Sequence, residues 1–228
     1  MSLAHSPKIV TSDLRGICDA ANSKSYPGTG TAWSDLSTYG NGWTHTNVAY
    51  NSAGYFTYNG TSSYSTMNPT TPVSFSGDDA SSSVGVWFRP HTVPPSANME
   101  VFTDNYIEWG LRVLTNGNVG AQGYGSVQTS ISANVWTYCV VTLVAAAGNS
   151  GGAYTTQLYK DGVYINQVTG TVGNGVNDWP LTLGVDRQGG TPVNWFDGDI
   201  ARVELYQKVL SASEVKQNYD AVRGRFGI

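Results

Sequence analysis

The segment from Trp195 to Tyr219 constrains this chain most, because it joins one long strand to one short helix in a sequence that otherwise carries only strand and turn signals. Within it, Ala201, Val203 and Leu205 alternate with Arg202 and Glu204, which predicts one face toward a core and the other toward water. The helix start is as explicit. Ser211 stands three residues before Glu214, the spacing of a capping box, and Leu210 and Val215 flank the cap where a hydrophobic staple belongs. Val215, Tyr219 and Val222 continue as a stripe, so the helix is expected to dock by one face.

Strands are expected at 14–19, 54–58, 82–89, 99–103, 106–113, 135–144, 154–160, 163–168, 181–185 and 196–207. Turn-rich stretches separate them at 22–31, 39–52, 67–80, 145–152 and 170–179. Asp161-Gly162 predicts a two-residue hairpin, since glycine accepts the positive φ of a primed turn. In 135–144 both alternating faces are apolar, with Cys139, Val141 and Leu143 on one and Trp136, Tyr138 and Val140 on the other. Such a strand belongs in the middle of a sheet covered on both sides. Nothing in the composition splits the chain, so one all-β domain over 1–228 is expected.

Charged residues make up 12% of the chain, about half the roughly 25% usual for soluble proteins. The surface is therefore expected to be hydroxyl, amide and aromatic. Such a surface suits hydrogen bonding to neutral polar ligands such as glycans, although a turn-rich β protein shows much of the same bias. The formal net charge is −4 without a basic tract, so nucleic acid is not expected as a partner. Cys18 and Cys139 lack metal-ligand spacing and read as two buried thiols, with a bridge between them left open. No apolar run is long enough to span a membrane. There is no basic-then-apolar leader, and Met1-Ser2-Leu3 has the look of a cloning remnant.

The end of the chain resembles a laminin-G-like jelly roll of the concanavalin A-like lectin/glucanase superfamily, whose members close with Phe-x-Gly-x-Ile and then Leu-Ser-x-x-Glu-Val. The matching residues are Phe196, Gly198, Ile200, Leu210, Ser211, Glu214 and Val215. Earlier pieces agree in order: Trp33 to Ser37, Tyr58 to Thr61, Val86 to Phe88, Trp136 to Thr142, Leu158 to Gly162 and Leu181 to Gly184. The resemblance implies an all-β, two-sheet antiparallel sandwich with one short C-terminal helix. Gln217 to Gly227 further resembles the ends of such modules in tailed-phage structural proteins. That likeness implies a non-catalytic adhesion module on a virion or extracellular protein, with a glycan or cell-surface polysaccharide as partner. A structural domain contacting other virion proteins is the alternative.

Glycosidases of this superfamily carry Glu-x-Asp-x-x-Glu on one strand, which sets the acid and the nucleophile about 5 to 5.5 Å apart. That motif is missing here. Glu100, Asp104 and Glu108 lie too far apart, since four strand residues extend roughly 13 Å. His5, His45 and His91 read as solvated loop residues. The resemblance implies a structural Ca²⁺ held by Asp199 and the carbonyl of Gly60, oxygen ligands of the kind calcium takes. For a sugar, stacking faces and hydrogen-bonding groups are expected together. Trp33, Trp87 and Trp136 read as core, whereas Trp43, Trp109, Tyr106, Tyr124 and Trp179 are less accounted for. The expected carbohydrate-binding set is Tyr106, Trp109, Arg112, Gln122 and Tyr124, on a strand pair.

Overall fold

A computed structural model describes residues 7–68, 81–104, 109–123, 125–145, 153–171, 181–187 and 191–228. In chain order the strands are β1 (Leu14–Asp19), β2 (Ala32–Trp33), β3 (Gly42–Thr46), β4 (Ala49–Asn51), β5 (Tyr55–Asn59), β6 (Tyr64–Asn68), β7 (Ser82–Pro90) and β8 (Met99–Thr103). They continue with β9 (Gly110–Val113), β10 (Asn118–Gly123), β11 (Gly125–Ser130), β12 (Thr137–Ala145), β13 (Ala153–Lys160), β14 (Val163–Thr171), β15 (Thr182–Leu183) and β16 (Asp197–Tyr206). One helix, α1 (Ala212–Val222), follows, and a 3-10 turn, Arg223–Phe226, ends the ordered elements.

Two antiparallel sheets form a sandwich. The first runs β14-β13-β12-β7-β16-β5-β4, with β1 also paired to β16, and the second runs β11-β10-β9-β8-β15-β6-β3-β2. Trp33, Phe56, Phe88, Phe102, Trp109, Leu111, Val141 and Phe196 fill the space between them. Strand β12 lies between β7 and β13, as its two apolar faces require. Cys139, Val141 and Leu143 enter the central core, while Tyr138 and Val140 enter a second core on the outer side.

That second core exists because α1 lies over the outer face of the first sheet. Trp87, Tyr138, Tyr206, Leu210 and Val215 are buried there, and Tyr219, Val222 and Phe226 pack against them. Trp87 stacks on Phe226 at 4.2 Å and on Tyr219 at 5.7 Å between ring centroids. Ser211 caps the helix by accepting from the Glu214 amide, and Glu214 accepts from the Ser211 amide in return, completing the expected box. Ser83 Oγ ties the entry down, accepting from the Leu210 amide at 2.9 Å and donating to the Lys208 carbonyl at 2.7 Å.

Several expectations change. Arg202 and Glu204 do not face water, because α1 covers them and leaves them 9% and 0% exposed. The register also shifts between Ile200 and Arg202. This bulge sends Ile200, Val203 and Leu205 to the central core and Ala201 to the helix side, a switch that simple alternation misses. The stretch 39–52 holds β3 and β4 rather than turns alone, β6 and β11 lie outside the expected strands, and β10 supplies the strand that pairs Gln122 with β9. The Asp161-Gly162 hairpin is present, with φ of 50° and 79° at its two residues. Cys18 and Cys139 are both free and buried. Among the described residues no helix is long and apolar enough to cross a membrane.

Candidate functional site

The expected sugar site is only partly assembled. Arg112 on β9 and Gln122 on β10 do share one outer face of the second sheet, since Gly120 pairs with Arg112 and Gln122 with Gly110. The Arg112 guanidinium, however, is engaged. Its Nε donates to Glu100 and its Nη2 to Asp186 at 3.0 Å. Trp109 points the other way. It is 0% exposed and meets Phe102 edge-on at 5.6 Å, so its indole offers no face to a ligand. Trp43 is buried too. Tyr106, Tyr124, Trp179, Glu108 and His5 lie outside the described residues. Asp104 closes the β8–β9 turn, its amide donating to the Trp109 carbonyl at 3.1 Å.

Asp199 is likewise engaged. Its Oδ1 accepts from Thr57 at 2.7 Å, and its Oδ2 accepts from Arg89 Nε at 2.9 Å and Nη2 at 2.6 Å, with His91 Nε2 at 3.1 Å. The carboxylate is 1% exposed, and a guanidinium stands where a cation would bind. Gly60 does not face it. On β5 the partner of Asp199 is Thr57, while Asn59, beside Gly60, pairs with Asp197. These donors do not fit a calcium ion, and among the described residues no group of three His, Cys, Asp or Glu side chains could hold a metal.

The histidines also differ from expectation. His45 is buried on β3 with Nδ1 at 2.7 Å from Ser65 Oγ, and burial pushes it down to about 4. His91 bridges Asp197 and Asp199 at 3.0 and 3.1 Å.

A cleft of about 370 Å³ opens at the rim of the sandwich, where three remote segments meet. One wall is the turn after β5. There Asn59 Oδ1 accepts from the amides of Thr61, Ser62 and Ser63, and Gly60 takes a φ of 71° that other residues resist. The second wall is the loop between β7 and β8, bringing Thr92, Ser96 and Asn98. It is fastened by the His91 amide donating to the Asp197 carbonyl and by Asn98 Oδ1 accepting from the Thr115 amide. The third is the approach to β16, bringing Asn194, Trp195 and Asp197. The Glu100 amide donates to the Asn194 carbonyl at 2.7 Å and so sets this wall.

The cleft sets an aromatic ring beside polar side chains. Trp195 is half-buried, supported by Tyr64 at 6.2 Å, and the Arg187 guanidinium stands over the other ring of that pair. Beside it, the Thr92 and Ser96 hydroxyls and the Asn194 amide make no side-chain hydrogen bond among the described residues, and Asp197 is 40% exposed. A flat apolar ring next to unspent hydroxyl and amide groups and a part-exposed carboxylate can meet the alternating CH and OH faces of a pyranose. Trp195 and Asp197 lie where the last strand begins, but strand alternation alone does not reveal a rim. A second cleft, of about 570 Å³, lies between α1 and β1. Its charges are consumed internally, with Asp19 holding Arg202 at 3.0 Å and Arg225 at 2.6 Å, and Asp220 holding Arg223 at 3.3 Å.

A laminin-G family model, described as the concanavalin A-like lectin/glucanases superfamily, matches residues 59–216. The chain belongs to this superfamily. All three walls of the rim cleft lie within the matched span. No curated protein matches the sequence. Among solved structures, a Trypanosoma rangeli sialidase in complex with sialic acid is similar at TM-score 0.70 and 16% identity, over 97% of this chain and 36% of that one. The receptor binding domain of botulinum neurotoxin D is similar at TM-score 0.65 and 18% identity, over 91% of this chain and 52% of that one. The superfamily fold is thus shared with an enzyme and with a binding domain, and this chain spans about a third to a half of their lengths. At such identity the likeness speaks for the sandwich alone.

Proposed function

We propose that this superfamily member is a non-catalytic carbohydrate-binding module and that the rim cleft is its sugar site. The observation that carries this reading is the half-buried Trp195 standing beside the unspent side chains of Thr92, Ser96 and Asn194 and the part-exposed carboxylate of Asp197, which His91 contacts through Oδ1. The non-catalytic role and the setting rest on the sequence. The glycosidase motif is missing from the sequence, and the resemblance of residues 217–227 to phage modules supports adhesion from a virion or extracellular surface. Calcium is not part of the reading, given the Arg89 guanidinium on Asp199.

An open site of this size returns little energy after its polar groups are desolvated, so a single copy binds weakly and useful adhesion comes from several copies. The test is a glycan array probed with an artificially multimerised form. The parent is expected to bind, and Trp195→Ala is expected to lose the signal with an unchanged melting curve, since the ring is only half-buried. Retained binding by that variant would move the site elsewhere.

A further inference from the structure

Resting on the reading of the rim cleft as a sugar site, we infer that it selects uncharged glycans, neutral hexose and N-acetylhexosamine residues, and rejects sialylated, uronate and sulfated ones. The lining residues include one charged side chain, Asp197, and no lysine or arginine. The cations closest along the chain are turned away. Arg89 places both Nε and Nη2 on Asp199 Oδ2 and lies over the rings of Tyr55 and Trp136 at 5.1 and 4.9 Å. His91 spends one ring nitrogen on Asp197 and the other on Asp199.

A sugar hydroxyl entering the cleft can donate to the carboxylate of Asp197, to the Asn194 carbonyl oxygen, or to the hydroxyls of Thr92 and Ser96. A glycan carboxylate or sulfate can only accept, and it would meet the Asp197 charge with no guanidinium among the lining residues to pair with. Bidentate arginine is the usual means of holding such groups, and a like charge in the site works against them even where, as here, a histidine contacts one of its oxygens. The formal net charge of −4 adds a weaker, longer-range repulsion that salt would screen.

The experiment uses the multimerised chain on an array with neutral, sialylated, uronate and sulfated arms, at low and high salt. Binding to the neutral arm, insensitive to salt, with acidic glycans at least about tenfold weaker, is the expected result. Equal or stronger binding to acidic glycans would overturn the charge selection while leaving the module reading intact, and silence on every arm would overturn both. Asp197→Asn keeps an acceptor for His91 and removes the charge. It is expected to raise the ratio of acidic to neutral binding at least about tenfold at low salt, whatever the lost hydroxyl acceptor does to the neutral signal itself. If this variant melts with the parent and still rejects acidic glycans, the selection does not come from Asp197 and the inference fails. Should the variant not fold, the ratio of the arms in the parent decides.

Discussion

The outer faces of the two sheets each bury one glutamate beside one arginine, and the two pairs are finished differently. Under α1, Glu204 Oε1 accepts from Arg202 Nε at 2.7 Å, while Oε2 accepts from the Tyr138 hydroxyl at 2.9 Å and from Asn218 Nδ2 at 3.1 Å. Arg202 is balanced again by Asp19. On the second sheet, Glu100 Oε2 accepts from Arg112, but Arg112 is shared with Asp186, and Glu100 Oε1 has no hydrogen-bond partner among the described residues. Burial pushes Glu100 up to about 8, against the pull of Arg112. The difference shows that burial alone does not decide a carboxylate's state. The donors aimed at it matter too: three face Glu204, whereas Glu100 has one and is poised to hold a proton on the idle oxygen.

The largest expected effect follows from that contrast. Glu204→Gln turns an NH₂ group toward donors in either orientation and removes the buried charge that balances Arg202, so it is expected to cost about 3 kcal/mol. Glu100→Gln keeps an acceptor for Arg112 and is expected to change stability by less than about 1 kcal/mol at pH 7. Urea denaturation of both variants checks this, and equal losses would break the comparison.

The next effect is on pH. The folded state of the parent holds a proton on Glu100 that the unfolded chain, with an ordinary glutamate, releases near 4.5, so stability falls as pH rises through this window toward 8. His45 works in the opposite sense. It is lowered from 6.5 to about 4, so its stabilisation is present above 6.5 and is lost as pH falls toward 4. From pH 6.5 to 8 the Glu100 slope stands by itself, and a loss of about 2 kcal/mol is expected, absent in Glu100→Gln. A flat profile in the parent over that interval would show Glu100 to be ionised throughout.

Smaller still is the cap. Ser211→Ala removes the acceptor for the Glu214 amide and is expected to cost about 1 kcal/mol, a fall in Tm of about 2–4 °C for a chain of this size. Since α1 is what covers Glu204, the loss should be greater in Glu204→Gln than in the parent if the two are coupled, and additive if they are not. The smallest effect is on calcium. With Arg89 on Asp199, millimolar Ca²⁺ and excess EDTA are expected to give the same melting curve, because an ion that does not bind the folded state adds nothing to its stability. A rise in Tm with calcium would show that the ion displaces the guanidinium or finds another site.

Much of the frame could be read along the chain. Leu14–Asp19 and Met99–Thr103 emerged with the expected bounds, the doubly apolar β12 sits mid-sheet, and the capping box and the Asp161-Gly162 hairpin are both present. These signals are local: a side-chain period, a cap and a turn act within a few residues, so the order of amino acids is sufficient to specify them. The short strands β3, β4 and β6 carry no clear strand signal because their threonines, asparagines and tyrosines serve turns and half-covered strands equally well.

What the sequence determined by itself is therefore the all-β class, the two-sided burial of β12 and the capped helix after the last strand. Tertiary structure decided which groups meet. The bulge after Ile200 reversed the face of Ala201, α1 closed over Arg202 and Glu204, and Trp109 turned inward to Phe102. The rim cleft joins residues near 59, 95 and 195, and Asp199 is matched to Arg89 across 110 positions. Such pairings depend on sheet register and on the competition of donors for buried carboxylates, and both are fixed only when distant strands come together.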